Sequence, residues 1–145
     1  MAKRTATVSW QRGLFDGAGL IESSGSGALA ELPITWASRA ESSNGKTSPE
    51  ELIAAAHASC FAMAFSLLLA ESGTPPEKLD VGATVTFVPG TGITRSELEL
   101  SGRVPGLSEE AFRAKAEQAK ANCPVSQALK GLEITLEVKS FQPGA

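Results

Sequence analysis

The sequence contains little cysteine, little histidine and little net charge, and each shortage excludes a class of protein. Two cysteines are too few for the disulfide framework of a small secreted domain, and one histidine cannot build a multi-histidine metal centre within one chain. The formal net charge of −3 argues against a nucleic-acid-binding protein and against a polybasic membrane-surface protein. With 42% hydrophobic residues, the 145 residues have ordinary globular composition and fit a single domain, 1–145.

The sequence also lacks a clear secretory or membrane-spanning signal. Residues 1–4 carry positive charge without an apolar run behind them, which argues against a signal peptide. Residues 54–70 are apolar except for one histidine and two serines, but this run is rich in alanine and at the short limit for crossing a bilayer. We therefore expect a buried helix there, no membrane partner, and a cytoplasmic protein whose thiols are reduced at rest.

Hydrophobic periodicity predicts an α+β domain with the element order β-β-β-α-β-β-α-α-β. Alternating apolar and polar residues mark the strands, while capping residues, glycine and proline mark the helix ends. The predicted strands are 5–10, 19–22, 34–37, 81–87, 97–101 and 132–139. The predicted helices are 48–72, 108–122 and 124–129.

The predicted helix 48–72 is apolar on nearly every side, which is unusual in so short a chain. Ser48 suits its N-cap, Pro49 its first position, and Glu51 would close a capping box. One sheet can cover only one side of such a helix, so the other side must be hidden as well. We infer a homodimer with two of these helices at its centre, the alternative being that the other helices of the same chain cover it.

Two cysteines lie at distinctive positions. Cys60 lies within the apolar helix, whereas Cys123 precedes a helix-starting proline and so occupies the N-cap of the short helix, where free backbone N–H groups favour a thiolate. Cys123 also continues an apolar face formed by Phe112, Ala116 and Ala119, which predicts that its side chain points inward. Cys60 is the only other thiol that it could meet there.

Spacing alone leaves several interpretations of these thiols open. They could be two small buried hydrophobes, a reactive dithiol, a structural disulfide, or a metal site completed by His57 and a carboxylate. No CxxC or HxxxH spacing supports a metal, and we predict neither metal nor cofactor. His57 is either a packed core residue or an imidazolium that stabilises the thiolate of Cys60.

Charged residues could activate a buried thiol, which is a poor nucleophile until a positive group lowers its pKa. Arg39, Arg12 and Arg4 are the arginines considered, and Arg39 follows the predicted extended stretch, so it could fold over the edge of a pocket or remain a solvated surface residue. Glu50 has no capping duty, but ten residues of helix place it about 15 Å from Cys60. It would act on that thiol through an intermediary or from another subunit.

Two segments together resemble the osmotically inducible protein C (OsmC) family, which includes the organic hydroperoxide resistance (Ohr) proteins. They are SPEELIAAAHASCF at 48–61 and NCPVSQALK at 122–130. Their separation and the element order match the family over essentially the whole chain, and the histidine before Cys60 is more similar to the OsmC branch than to the Ohr branch. The resemblance implies an OsmC-like fold, with antiparallel sheets wrapped around two long central helices in an intertwined homodimer whose active sites lie at the subunit interface.

The resemblance also implies a thiol-dependent peroxidase that reduces organic hydroperoxides, and hydrogen peroxide less readily, in oxidative or osmotic stress defence. Cys60 would be the attacking thiol and Cys123 the resolving thiol, joined in a disulfide that an external dithiol of lipoyl type reduces. Glu50 matches the family's active-site glutamate and Arg39 the arginine that partners it. This assignment makes Cys60 the attacker, although the capping argument favours Cys123 as the more acidic thiol.

An apolar pocket would favour an alkyl group on the peroxide. We expect Ile53, Phe61, Met63 and Phe65 to line it. The alternative function is a non-catalytic redox sensor or a small-molecule-binding dimer that uses the same thiol pocket. Such a protein would oxidise at Cys60 without turning over many equivalents of peroxide.

Overall fold

The computed structural model describes residues 1–144 as two three-stranded sheets and four helices, which confirms the α+β class. The strands are β1 (Ala6–Gln11), β2 (Ala18–Ser24), β3 (Ala30–Ile34), β4 (Lys78–Val88), β5 (Gly92–Arg103) and β6 (Glu133–Gln142). The helices are α1 (Trp36–Ala40), α2 (Pro49–Glu71), α3 (Glu109–Asn122) and α4 (Pro124–Ala128). One sheet has the order β1-β2-β3 and the other the order β4-β5-β6.

The prediction of an extended stretch over 34–37 is wrong, because β3 ends at Ile34 and the short helix α1 begins at once. A capping box starts this helix. The Thr35 hydroxyl accepts the backbone N–H of Ser38 at 3.0 Å, and the Ser38 hydroxyl accepts the N–H of Thr35 at the same distance. These two bonds satisfy amides that a strand would pair elsewhere, so local capping decides the conformation.

The expectation of antiparallel sheets is wrong for one strand pair. β4 and β5 are antiparallel, with Val81 opposite Leu100, but β5 and β6 run parallel, with Leu98 opposite Leu136. The helices α3 and α4 carry the chain from the end of β5 back to its beginning. β6 therefore starts at the same end of the sheet as β5, as a crossover connection requires.

The start of α2 follows the predicted capping pattern in part. The Ser48 side chain accepts the N–H of Glu51 at 3.1 Å and Pro49 is the first helical residue, as predicted. The second bond of the predicted capping box is absent, because the Glu51 carboxylate accepts a hydrogen bond from the Thr47 hydroxyl at 2.8 Å instead. The helix ends before Gly73, which has a φ of 81°.

The core lies between the β4-β5-β6 sheet, α2 and α3. Helix α2 contributes one buried stripe at four-residue spacing, formed by His57, Phe61, Phe65 and Leu69. The ring of Phe65 lies 5.3 Å from that of Phe112 on α3. This packing fixes α2 against the sheet on one side.

The opposite side of α2 is apolar and uncovered within one chain. Met63 is 70% exposed and Leu67 is 58% exposed. Helix α2 is long and apolar enough to span a membrane, with 22% of its most apolar window buried, but a core helix passes the same test of length and composition. The β1-β2-β3 sheet is also poorly covered, since Ile21 is its one buried residue. A single copy therefore leaves two faces without a packing partner.

Candidate active site

The structure brings the two cysteines together. Cys60 is half-buried on α2, and Cys123 is buried at the junction where α3 ends and α4 begins. Both are free thiols, and Cys123 lies close enough to Cys60 to influence its pKa. Phe112, Ala116 and Ala119 are buried together with Cys123, which confirms that Cys123 continues this apolar face.

The surroundings of Cys60 disfavour its thiolate within a single chain. Burial raises the pKa of the Cys60 thiol and the adjacent Cys123 raises it further, while a hydrogen bond from the backbone N–H of Val125 lowers it in part. Within residues 1–144, no influence on this pKa comes from a cationic side chain.

The capping argument assigned the wrong sulfur to the short helix. Cys123 is the N-cap residue of α4, as predicted, but its side chain makes no capping hydrogen bond. Val125, in the first turn of α4, directs its N–H to Cys60 instead. Cys123 therefore lacks the capping bond on which the expectation of a more acidic Cys123 rested, and the Val125 N–H instead partly offsets the raised pKa of Cys60.

An apolar groove of about 620 Å³ borders Cys60. Met63 and Leu67 of α2 form one wall, and Asn122 and Pro124 form part of the other. A groove of this kind can receive an alkyl group and leave the sulfur at its edge accessible.

The predicted pocket lining is correct for one residue of four. Met63 lines the groove, but Phe61 and Phe65 lie in the core on the sheet side of α2, and Ile53 lies nearer the start of the helix. Sequence alone did not distinguish the two sides, because α2 is apolar around its whole circumference.

Arg39 and Glu50 form a partly buried ion pair. The Nε atom of Arg39 donates to both carboxylate oxygens, at 2.9 and 3.2 Å, and Nη2 lies 2.8 Å from Oε1. Glu50 is 6% exposed, and the guanidinium carbon lies 4.2 Å from the centre of the Phe87 ring. The sequence predicted that Arg39 directly follows an extended stretch, but the residue lies in the last turn of the helix α1. Two donors and an aromatic face hold the arginine in one orientation.

The ion pair and the thiols occupy separate places on one chain. Glu50 is in the first turn of α2 and Cys60 is ten residues further along the same helix, which is about 15 Å. The cavity beside Arg39 and Glu50 shares no lining residue with the groove beside Cys60. A site that combines the guanidinium with the Cys60 sulfur therefore requires a second chain.

His57 is a packed core residue and not an imidazolium beside Cys60. Its Nδ1 shares a 2.7 Å hydrogen bond with the Ser96 hydroxyl and its Nε2 a 2.8 Å bond with the Ser126 hydroxyl, and all three residues are buried. Burial lowers the pKa of His57, so the ring is neutral at pH 7. Among the described residues, no cluster of three metal-ligating side chains is present.

Sequence reasoning missed both serine partners. Ser126 lies three residues after Cys123, within the motif that carries the resemblance, and this position could have identified it. Ser96 alternates with the buried Leu98 and Leu100 of β5, so the strand period places it on the inward face. A hydroxyl on a core-facing strand position indicates a buried polar partner.

Comparison with known proteins identifies a family and several relatives that this chain resembles. A family model described as OsmC-like protein matches residues 42–139, which include Glu50 and both cysteines but not Arg39. Peroxiredoxin OsmC of Escherichia coli (strain K12) is 43% identical over 131 residues, covering 88% of this chain and 90% of that protein. Organic hydroperoxide resistance protein-like 1 of Staphylococcus epidermidis is 31% identical over 104 residues, covering 68% and 74%.

A solved structure gives the same fold. The organic hydroperoxide resistance protein OhrB of Bacillus subtilis matches with a TM-score of 0.67 and 25% identity, over 93% of this chain and 98% of that one. Both cysteine motifs lie within the matched family region, and the identity to the OsmC relative exceeds that to the Ohr-like relative, as the sequence motifs predicted. This chain, with its paired thiols on α2 and at the start of α4, therefore belongs to the OsmC family.

Proposed function

We propose that this protein is a thiol-dependent peroxidase that reduces organic hydroperoxides, and hydrogen peroxide more weakly, as a defence against oxidative or osmotic stress in the cytoplasm. The observation that carries the proposal is the pair of neighbouring free thiols, with Cys60 at the edge of an apolar groove. The names of the relatives, a peroxiredoxin and organic hydroperoxide resistance proteins, support the same chemistry.

The first step is nucleophilic attack by the Cys60 thiolate. The sulfur attacks the distal oxygen of the hydroperoxide, the O–O bond breaks, and the alkoxide takes a proton to leave as an alcohol. The sulfur is thereby oxidised by two electrons to a sulfenic acid. The N–H of Val125 stabilises the negative sulfur before the attack.

The second step closes a disulfide. Cys123 attacks the sulfenic sulfur of Cys60, and the hydroxyl leaves with a proton as water. The contact between the two side chains means that this step needs little movement. An external dithiol, for which we propose a lipoyl-type molecule, then reduces the disulfide and becomes a disulfide itself.

The activating charge comes from a partner subunit in this proposal. A homodimer built on the exposed face of α2 would bring Arg39 and Glu50 of one protomer beside Cys60 of the other. Three observations support it: the exposed apolar face of α2, the partly buried ion pair far from Cys60 on its own chain, and a Cys60 pKa that the single chain leaves raised. A guanidinium near the sulfur would favour the thiolate and the developing alkoxide.

The test is to identify the oxidised species by intact mass spectrometry. One equivalent of cumene hydroperoxide should convert the reduced wild type to a disulfide, detected as the loss of two hydrogen atoms. Cys123→Ser should instead retain one added oxygen that dimedone traps at Cys60, because the resolving thiol is missing. Cys60→Ser is the control and should keep Cys123 free. If wild-type Cys60 remains a thiol after exposure, the proposed peroxidase chemistry is wrong.

A further inference from the structure

A buried hydrogen-bonded chain connects three elements beside the thiols. Ser96 belongs to β5, His57 to α2 and Ser126 to α4, and the two bonds measure 2.7 and 2.8 Å. The three residues are 0–6% exposed, and every ring nitrogen of the histidine has a partner. The peroxidase steps described above use none of them.

Two members of this hydrogen-bonded chain, His57 and Ser126, each lie one helical turn from a cysteine. His57 lies one helical turn before Cys60 on α2, and Ser126 lies one turn after Cys123. A bond between His57 and Ser126 therefore fixes the separation between the two cysteine-bearing backbones. Val125, whose N–H contacts the Cys60 sulfur, is the immediate neighbour of Ser126.

The short helix α4 needs such an anchor. Five residues are too few for a helix to be stable through its own hydrogen bonds, so its place depends on contacts with other elements. The His57–Ser126 bond is a directional contact of this kind, and its burial excludes water as a substitute partner.

We propose that His57 and Ser126 are positioning residues for the resolving step, because they hold the backbone around Cys123 at the distance from which its sulfur reaches Cys60. The inference rests on the proposed function, since it concerns closure of the disulfide after Cys60 is oxidised. Neither side chain touches peroxide or transfers a proton in this role. Loss of the His57–Ser126 bond slows disulfide closure more than it slows the preceding attack on the peroxide, which depends on α4 only through the N–H of Val125.

The chain offers a matched control for this role. Ser126→Ala and Ser96→Ala each remove one hydroxyl that bonds the buried imidazole of His57, and each leaves one ring nitrogen unpaired. Both changes therefore destabilise the fold in the same way, but only Ser126 belongs to the helix that follows Cys123. Ser59→Ala removes an α2 hydroxyl that bonds the Ala55 carbonyl and not His57, so it controls for the loss of a hydroxyl on the helix that carries Cys60.

The experiment measures the two steps separately by rapid quenching and thiol titration after mixing with cumene hydroperoxide. In Ser126→Ala we expect disulfide closure about fivefold slower or more, and formation of the sulfenic acid slowed by a smaller factor. In Ser96→Ala and Ser59→Ala closure should stay within about twofold. Ser126→Thr, which keeps a hydroxyl, should close the disulfide faster than Ser126→Ala. Equal slowing in Ser126→Ala and Ser96→Ala, or none in either, would overturn the inference.

A second measurement separates this inference from the peroxidase proposal. Equilibration with reduced and oxidised glutathione reports the effective concentration of the two thiols without any peroxide. It should be about fivefold lower or more in Ser126→Ala than in Ser96→Ala. If wild type fails to react with peroxide, the proposed function is wrong, and the glutathione comparison still decides the role of Ser126.

Discussion

At the residue scale, reactivity depends on which groups face the Cys60 sulfur. Its own chain supplies one favourable contact, the N–H of Val125, against burial and the neighbouring Cys123, which raise its pKa. Arg39 is the cation that we propose to act on this sulfur, and Glu50 and the Phe87 ring hold its guanidinium in position. Because Cys60 and the Arg39–Glu50 pair lie apart on one chain, we propose that the reactivity of Cys60 depends on dimer formation.

The buried His57 predicts how stability depends on pH. Its pKa is lowered in the folded protein, whereas in the unfolded chain it titrates near the ordinary histidine value of about 6.5. The unfolded state therefore binds more protons below this pH, so the stability from a neutral His57 is complete above 6.5 and is lost as pH falls. For one proton the slope reaches at most about 1.4 kcal/mol per pH unit.

Urea unfolding at fixed protein concentration checks this expectation, between about pH 7.5 and about pH 5.5. The loss of unfolding free energy over this interval should be smaller in His57→Gln, which cannot take up the proton, than in wild type. Carboxylates titrate in both proteins and cancel in the comparison. Equal pH dependence in the two proteins would show that His57 does not contribute.

At the element scale, α1 links local capping to the candidate site. It is only five residues long, and its capping box between Thr35 and Ser38 fixes the turn that carries Arg39. The Ser38 hydroxyl also donates to the backbone oxygen of Thr47, which joins α1 to the segment before α2. The position of the guanidinium therefore depends on residues that do not touch it.

Thr35→Val tests this dependence, since it keeps the shape of the side chain and removes the capping hydroxyl. We expect the substitution to destabilise α1 by about 1 kcal/mol. The rate of Cys60 oxidation by cumene hydroperoxide should fall about threefold or more. Thr47→Val is the matched control, because its hydroxyl bonds Glu51 and not α1. Oxidation rates that fall equally in both variants would contradict a specific role for the α1 cap.

The same elements show what the sequence could predict. Strong signals identified α2 and α3, since Ser48 and Ser108 cap them and apolar spacing marks the buried face of α3. The signals failed where a short-range bond competed with a pattern, as at Thr35, where capping produced a helix inside an extended stretch. They also failed for the parallel pairing of β6, because strand direction depends on a crossover and not on alternation.

The sequence predicted the positions of some residues of the candidate site but not the contacts between them. The motifs placed both cysteines, and the apolar face of α3 indicated that Cys123 points inward. The inward position of Ser96 was predictable from the strand period, but its bond to His57 was not, because the two residues are distant in sequence and meet only when β5 packs on α2. The direction of the Val125 N–H depends on the docking of α4, which no local pattern encodes.

At the scale of the whole molecule, the uncovered faces of one copy and the divided set of site residues have one explanation. A homodimer would cover the exposed side of α2, where Met63 and Leu67 lie, and would complete each site with the partner's ion pair. The apolar length of α2, which by composition alone resembles a membrane span, would then serve as the centre of the dimer.

Mixing two inactive variants tests the shared site. Arg39→Gln and Cys60→Ser should each be inactive alone, because each homodimer lacks one component at both sites. If Arg39 serves the Cys60 of its partner, one site in each mixed dimer is intact. Refolding the two variants together in equal amounts should then restore about a quarter of wild-type activity. No recovery, with mixed dimers demonstrated by native mass spectrometry, would place both residues in the same protomer's site.

Peroxide turnover is the measurement that tests the proposed function most directly. Reduced wild type and Cys60→Ser are each supplied with excess dihydrolipoamide and either cumene hydroperoxide or hydrogen peroxide. We expect wild type to consume many equivalents, faster with the organic peroxide, and Cys60→Ser to consume none above background. A single equivalent consumed by wild type, with the disulfide persisting, would indicate a redox sensor instead of an enzyme. No consumption by wild type, with both thiols still free, would contradict the thiol chemistry altogether.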